Sequence, residues 1–129
     1  MIALLLLAVA TVALLTLFSG ASWLSGTLPS ALPAGNLVAA IALCAPAGAS
    51  LLLARRGTVL RRVTAGLLSA SLAWLPLSLL LAGNPQFNFS GTRGTLWLVF
   101  TVSLAASTAG ALVWAFASTL ARRWHRGAA

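Results

Sequence analysis

The sequence predicts an all-α integral membrane protein, a bundle of four transmembrane helices. Hydrophobic residues make up 60% of its 129 residues and charged residues 6%, whereas a soluble domain carries about 25% charged residues. The sequence contains four apolar runs, which are separated by turn residues and arginine pairs. Their lengths are close to or above the roughly 20 residues that a helix needs to cross a hydrocarbon core about 30 Å thick. Seven of the eight arginines flank these runs on one predicted side of the membrane.

The first two predicted helices cover residues 2–18 and 36–54. The first is short, so we expect it to thin the bilayer or to lie against a neighbouring helix. A cleavable signal peptide is the alternative for residues 1–18, but the segment lacks the basic region that precedes the apolar part of such peptides. The connection between the two helices has no charge and contains Trp23, which predicts a position in the membrane interface.

The third and fourth predicted helices cover residues 63–82 and 95–120. The fourth is longer than a bilayer requires, which predicts that it tilts or projects beyond the membrane. The connection between them alternates amide or hydroxyl residues with aromatic ones, a pattern typical of a short extended segment. Such a segment would present Phe87 and Phe89 to one side, toward lipid or toward a partner protein.

The placement of the arginines predicts the orientation of the bundle. A basic loop, residues 55–62, follows the second helix, and a basic tail, residues 121–129, follows the fourth. Only Arg93 lies on the other side, and cytoplasmic loops carry an excess of arginine and lysine. The sequence therefore predicts a single multi-pass domain, residues 1–129, with its N-terminus and C-terminus in the cytoplasm. Because the composition is rich in arginine and alanine and free of lysine, we expect a bacterial protein of the inner membrane.

The lack of aspartate and glutamate excludes several kinds of catalytic and metal site. Paired-carboxylate catalysis, a Ser-His-Asp triad and a Mg²⁺ or Ca²⁺ cage built on carboxylates all require acidic side chains. Cys44 is the one cysteine, and His125, the one histidine, lies among arginines outside the predicted spans. We therefore expect no enzyme activity, no cofactor and no metal ion.

The arginines have no acidic side chain in their own chain to pair with, so we expect them to bind water, backbone carbonyls, lipid phosphates or acidic residues of another chain. The predicted binding residues for phospholipid headgroups are Arg55, Arg56, Arg61, Arg62, Arg122, Arg123 and Arg126. Nucleic-acid binding is the alternative for a net charge of +8. We expect no nucleic-acid partner, because the charge is split into two clusters beside the membrane.

Small residues of the fourth helix indicate a packing surface. Small residues recur at every fourth position and so form one row along the helix. A row of small residues allows another helix to approach closely. That helix belongs either to the same bundle or to a partner, and the sequence leaves both open. A lipid phosphate or a partner carboxylate should meet Arg93, because the dipole at the N-terminal end of the fourth helix disfavours a cation. The predicted partner-contact residues are Arg93, Phe87, Phe89, Ser103, Ser107, Ala111 and Ala115.

These patterns favour a non-catalytic accessory or structural subunit of a larger bacterial inner-membrane complex. Its expected partners are other membrane protein subunits and anionic phospholipids. The alternative is a small homo-oligomeric channel or transporter, lined by serine, threonine and the backbone carbonyls that Pro46 and Pro76 free. This alternative lacks the ionisable residue that transporters usually carry within the membrane.

Overall fold

The computed structural model describes residues 1–127, which form an all-helical structure joined by short connections. The helices are α1 (Ile2–Ser19), α2 (Ala34–Leu53), α3 (Val59–Ala82) and α4 (Thr92–Gly127), and a 3₁₀ turn covers Ser22–Ser25. Four of these elements are long and apolar enough to cross a membrane, and no strand occurs within residues 1–127. The predicted all-α class and the four helices are confirmed.

Helix α2 is the centre of the bundle. It packs against α1, α3 and α4, and α3 also packs against α4, whereas α1 has its main contact with α2. Small residues bring α1 and α2 together: Ala10 and Ala13 are buried on α1, and a Cβ atom on Gly48 would lie 3.3 Å from Leu6 Cδ1. Close packing of this kind stabilises helix pairs in lipid, where apolar burial gives little driving force.

The core lies between α2, α3 and α4. Leu43, Trp74 and Leu104 form one cluster of buried residues. Ala54, Leu60 and Ala115 form a second cluster near the other end of the bundle. The core also contains buried hydroxyl side chains from all three helices, and these are Ser50, Thr64, Ser71, Ser78 and Thr108.

Helix α3 begins four residues earlier than predicted because Thr58 caps it. Thr58 Oγ1 accepts a hydrogen bond from the Arg61 backbone N–H at 3.3 Å, and this satisfies one of the free donors of the first turn. The same hydroxyl donates to the Arg55 carbonyl at 2.7 Å. Arg61 and Arg62 therefore lie on α3, and the connection from α2 is shorter than the predicted basic loop.

Helix α4 extends beyond both predicted ends. It begins at Thr92, so that Arg93 lies in its first turn. It continues to Gly127, so that the arginines of the predicted basic tail are helical. The last two residues of that tail, 128–129, lie outside the described residues.

The connection between α3 and α4 is a compact turn rather than an extended segment. Asn84 organises it, because its side-chain oxygen accepts from the Asn88 backbone N–H at 3.0 Å and its amide donates to the Ala82 carbonyl at 3.0 Å. Gly83 and Phe87 adopt positive φ values of 69° and 57°. This turn folds the aromatic rings back toward the helices, where the alternating pattern alone predicted an open strand.

Candidate functional site

Seven arginines meet at one end of the bundle, where α2 ends, α3 begins and α4 ends. We call this the basic end, and it comprises residues 54–62 and 118–127. Two of its arginines are bound by the last carbonyls of α2. Arg61 Nη1 donates to the Leu51 and Ala54 carbonyls at 3.3 and 3.5 Å. Arg122 Nη2 donates to the Leu53 carbonyl at 3.4 Å and to Thr119 Oγ1 at 2.9 Å.

These bonds have a simple electrostatic cause. The last carbonyls of a helix have no intrahelical donor and carry partial negative charge, so they attract cations. Arg61 of α3 and Arg122 of α4 therefore cap the C-terminal end of α2 by donating hydrogen bonds to its last carbonyls. The other five predicted headgroup-binding residues are exposed, and they are Arg55, Arg56, Arg62, Arg123 and Arg126.

The basic end contains a cleft between the start of α3 and the facing turns of α4. We call it the arginine cleft, and its volume is about 210 Å³. Its walls are formed by Arg55, Thr58, Val59, Leu60, Trp114, Ser118 and Arg122. Two guanidinium-bearing side chains thus reach one concavity from different elements.

A second, apolar groove separates the start of α1 from α4. It measures about 510 Å³, and its lining includes Leu4, Leu7, Phe116, Leu120 and Arg123. The groove exists because α1 packs mainly against α2 and leaves the adjacent face of α4 uncovered. The start of α1 and the end of α4 therefore lie at the same end of the bundle.

The predicted small-residue row of α4 divides between the core and the surface. Ala111 and Ala115 are buried, with 5% and 0% of their surface exposed, and Ala115 packs with Ala54 and Leu60. Ser103 and Ser107 are exposed. The row divides because a step of four residues turns about 400°, so that the row drifts about 40° around the helix with each step. Packing within the bundle therefore accounts for Ala111 and Ala115, whereas a partner contact at Ser103 and Ser107 stays a prediction.

The exposed half is a strip of small side chains that we call the α4 notch. It comprises Ser103, Ala106, Ser107 and Gly110. A Cβ atom on Gly110 would meet nothing within 4 Å. Larger side chains border the notch on the same face, since Val99 is 59% exposed and Trp114 is 55% exposed. The notch is therefore flanked by bulky residues on both sides along the helix.

An aromatic cluster closes the bundle opposite the basic end. The Phe87 ring lies 5.8 Å from the Trp74 ring in an edge-on arrangement, and the Phe89 ring stacks at 4.8 Å on Trp97. Both indoles are anchored, because Trp74 Nε1 donates to Thr101 Oγ1 at 2.9 Å and Trp97 Nε1 donates to Ser78 Oγ at 2.8 Å. Phe87 and Phe89, predicted to contact a partner or lipid, are half-buried against their own chain.

The sequence reasoning did not single out Trp74 and Trp97. Trp74 lies in the middle of an apolar run, whereas Trp97 lies near the start of one, where membrane proteins place most tryptophans. A tryptophan in the middle of a span needs a partner for its N–H group. This requirement is the feature of the sequence that could have predicted a hydrogen bond from Trp74, which the structure shows to Thr101.

Arg93 is exposed in the first turn of α4, whereas the sequence placed it just before that helix. It makes no hydrogen bond or ion pair with residues 1–127, and the dipole of a helix 36 residues long opposes its charge. Its predicted contact with a lipid phosphate or a partner carboxylate stays a prediction.

The buried hydroxyls differ in their hydrogen bonding. Ser50 Oγ donates to the Pro46 carbonyl at 2.7 Å, and Ser78 Oγ donates to the Trp74 carbonyl at 2.6 Å. Ser71 Oγ and Thr108 Oγ1 are buried without a partner among the described residues. The core therefore contains two hydroxyl groups that have no hydrogen-bond partner within residues 1–127.

Residues 1–127 contain no group of three or more His, Cys, Asp or Glu side chains that could hold a metal ion. Comparison of the chain with family models, curated proteins and solved structures found no match. The case for a function rests on three surfaces of the chain itself: the basic end, the apolar groove beside α1 and the α4 notch.

Proposed function

We propose that this chain is a non-catalytic subunit of a larger complex in the bacterial inner membrane, and that it docks on another subunit through the α4 notch. The observation that carries the proposal is the exposure of four small residues side by side on a membrane-length helix. Ser103 and Ser107 form one small-xxx-small pair, and Ala106 and Gly110 form another. Pairs of this kind let two helix backbones approach closely.

The hydroxyls of the notch support a helix as its occupant. Some exposed hydroxyls of the bundle donate to a carbonyl one turn earlier, as Thr11, Thr16 and Ser69 do. Ser103 and Ser107 make no such bond to residues 1–127, so both are free to bond across an interface. A hydrogen bond between transmembrane helices contributes about 0.6 kcal/mol on average.

The proposed orientation places the basic end in the cytoplasm. Cytoplasmic loops carry an excess of arginine, and seven of the eight arginines lie at this end. Each cation near an anionic leaflet contributes about 1 kcal/mol to membrane attachment. The exposed arginines thus bind anionic phospholipids, while the notch binds protein.

Filling the notch tests the docking proposal. The Gly110→Leu variant places an isobutyl group where the partner backbone should lie, so we expect it to release the chain from its complex. The matched control is Gly66→Leu on α3, where a Cβ atom also meets nothing within 4 Å. Native electrophoresis and mass spectrometry of membranes solubilised in mild detergent measure the co-migrating subunits.

The control should keep its partner subunits at the ratio of the unmodified chain. Complexes that survive Gly110→Leu would exclude the notch as the docking surface. A pure homo-oligomer in the unmodified sample would exclude an accessory subunit altogether.

A small homo-oligomeric channel or transporter is the second candidate, and the buried hydroxyls favour it. The core contains five buried hydroxyl side chains, and those of Ser71 and Thr108 have no partner within residues 1–127. Ion flux into liposomes that contain only the purified chain tests this function. Flux that Thr108→Val abolishes would favour the channel, and a lack of flux for the common ions would reject it.

A further inference from the structure

The arginine cleft differs from the rest of the basic end because two of its arginines line one concave, half-open space. Arg55 reaches the cleft from the connection before α3, and Arg122 reaches it from α4. Arg122 is held in place, because its Nη2 bonds both the Leu53 carbonyl and Thr119 Oγ1. Arg122 therefore lines the cleft as a hydrogen-bonded cation, and Arg55 lines it as an exposed one.

No anion of the chain's own side chains can occupy this cleft. The sequence contains neither aspartate nor glutamate, so no side chain of this chain can balance the charges of Arg55 and Arg122. The cleft also lies beside the first turn of α3, where the helix dipole favours negative charge. Guanidinium groups bind phosphate oxygens through paired hydrogen bonds, which makes a phosphate group the best-suited anion.

The rim of the cleft favours a phosphate that carries an apolar chain. Val59 and Trp114 line the cleft with 62% and 55% of their surfaces exposed, and both are apolar. Ser118 adds a hydroxyl between them and the arginines. Tryptophan is enriched where membrane meets water, because its ring accepts both surroundings.

We propose that the arginine cleft binds the phosphate group of one anionic phospholipid, held between Arg55 and Arg122, with an acyl chain against Trp114. The inference rests on the membrane placement proposed above. It adds one defined lipid site to the general attraction between the basic end and an anionic leaflet. The volume of about 210 Å³ accommodates the phosphate, while the acyl chains extend past the rim.

Two adjacent arginines provide the test. Arg55 lines the cleft and Arg56 does not, yet both are exposed and carry the same charge. The purified chain is equilibrated with mixed micelles of phosphatidylglycerol or phosphatidylcholine, and native mass spectrometry counts the retained lipids. We expect Arg55→Gln to lower the affinity for the retained phosphatidylglycerol about tenfold, and Arg56→Gln, which removes only part of the diffuse attraction, to lower it much less.

Further arms separate the remaining explanations. Arg55→Lys keeps the charge and should recover part of the affinity. Equal losses in Arg55→Gln and Arg56→Gln would overturn the site and leave only diffuse attraction. Inorganic phosphate that binds the cleft without any lipid being retained would also overturn it. Failure of the membrane placement gives a different result, since the unmodified chain would then retain no lipid at all.

Discussion

At the scale of single residues, the basic end contains two kinds of arginine. Some donate hydrogen bonds to the end of α2 and stabilise the fold, and the others are exposed and available to bind anions. Arg61 and Arg62 are neighbours with the same charge, but only Arg61 donates to the carbonyls that end α2. Its bonds are long, at 3.3 and 3.5 Å, so each is at the weak end for a charged donor. Sequence spacing does not separate the two residues, because the cap at Thr58 decides which one turns back toward α2.

Replacing Arg61 by glutamine should therefore destabilise the bundle more than the same change at Arg62. We expect Arg61→Gln to lower the free energy of unfolding by about 1 kcal/mol, since two carbonyls lose a charged donor. Arg62→Gln should change it by less than about 0.5 kcal/mol, as exposed substitutions usually do. Reversible unfolding in mixed micelles measures both values, and equal effects would contradict the capping role.

The indole of Trp74 offers a second test at this scale. Trp74 is 2% exposed, and its hydrogen bond to Thr101 Oγ1 joins α3 to α4. In a double-mutant cycle with Trp74→Phe and Thr101→Val, we expect a coupling free energy of about 0.5–1.5 kcal/mol. A coupling near zero would mean that the pair contributes only through packing.

At the scale of elements, the number of helices and their ability to span a membrane follow from composition. The residues at which the helices end, and the faces that they bury, do not. Apolar runs predicted four membrane-length helices, because hydropathy depends on residue type alone. The start of α3 and the turn at Asn84 were beyond the same reasoning, since each depends on side-chain bonds to nearby backbone. The small-residue row of α4 was recognised, but its division between Ala111 and Ser107 depends on where α2 and α3 pack.

The contact between α1 and α2 yields a prediction about one element. Gly48→Leu should force α1 away from α2, because Leu6 Cδ1 already lies 3.3 Å from the position of a Cβ atom. Since α1 has little other support, we expect faster hydrogen exchange in α1 and little change in α3 and α4. Gly66→Leu, in open space on α3, serves as the control. Equal protection of α1 in both variants would show that the contact at Gly48 does not hold this helix.

At the scale of the whole molecule, the two ends of the bundle have opposite characters. One end gathers seven arginines, and the other carries Arg93 and the rings of Phe87 and Phe89 packed on Trp97. The charge difference was predictable from the sequence, since it needs only the order of spans and arginines. The peripheral position of α1 was not, because it depends on which apolar faces pair within the bundle.

This asymmetry predicts how the molecule lies in its membrane. Residues at the basic end should be protected from a membrane-impermeant maleimide in intact spheroplasts, because positive loops remain in the cytoplasm. With Cys44 replaced by alanine, a single cysteine at Ser90 or at Gly127 reports on the two ends. We expect Ser90→Cys to react in intact spheroplasts and Gly127→Cys to react only after permeabilisation. Arg93 cannot reverse this outcome alone, because it is one charge against seven. Labelling of Gly127→Cys from outside would reverse the orientation and move the arginine cleft away from the cytoplasmic leaflet.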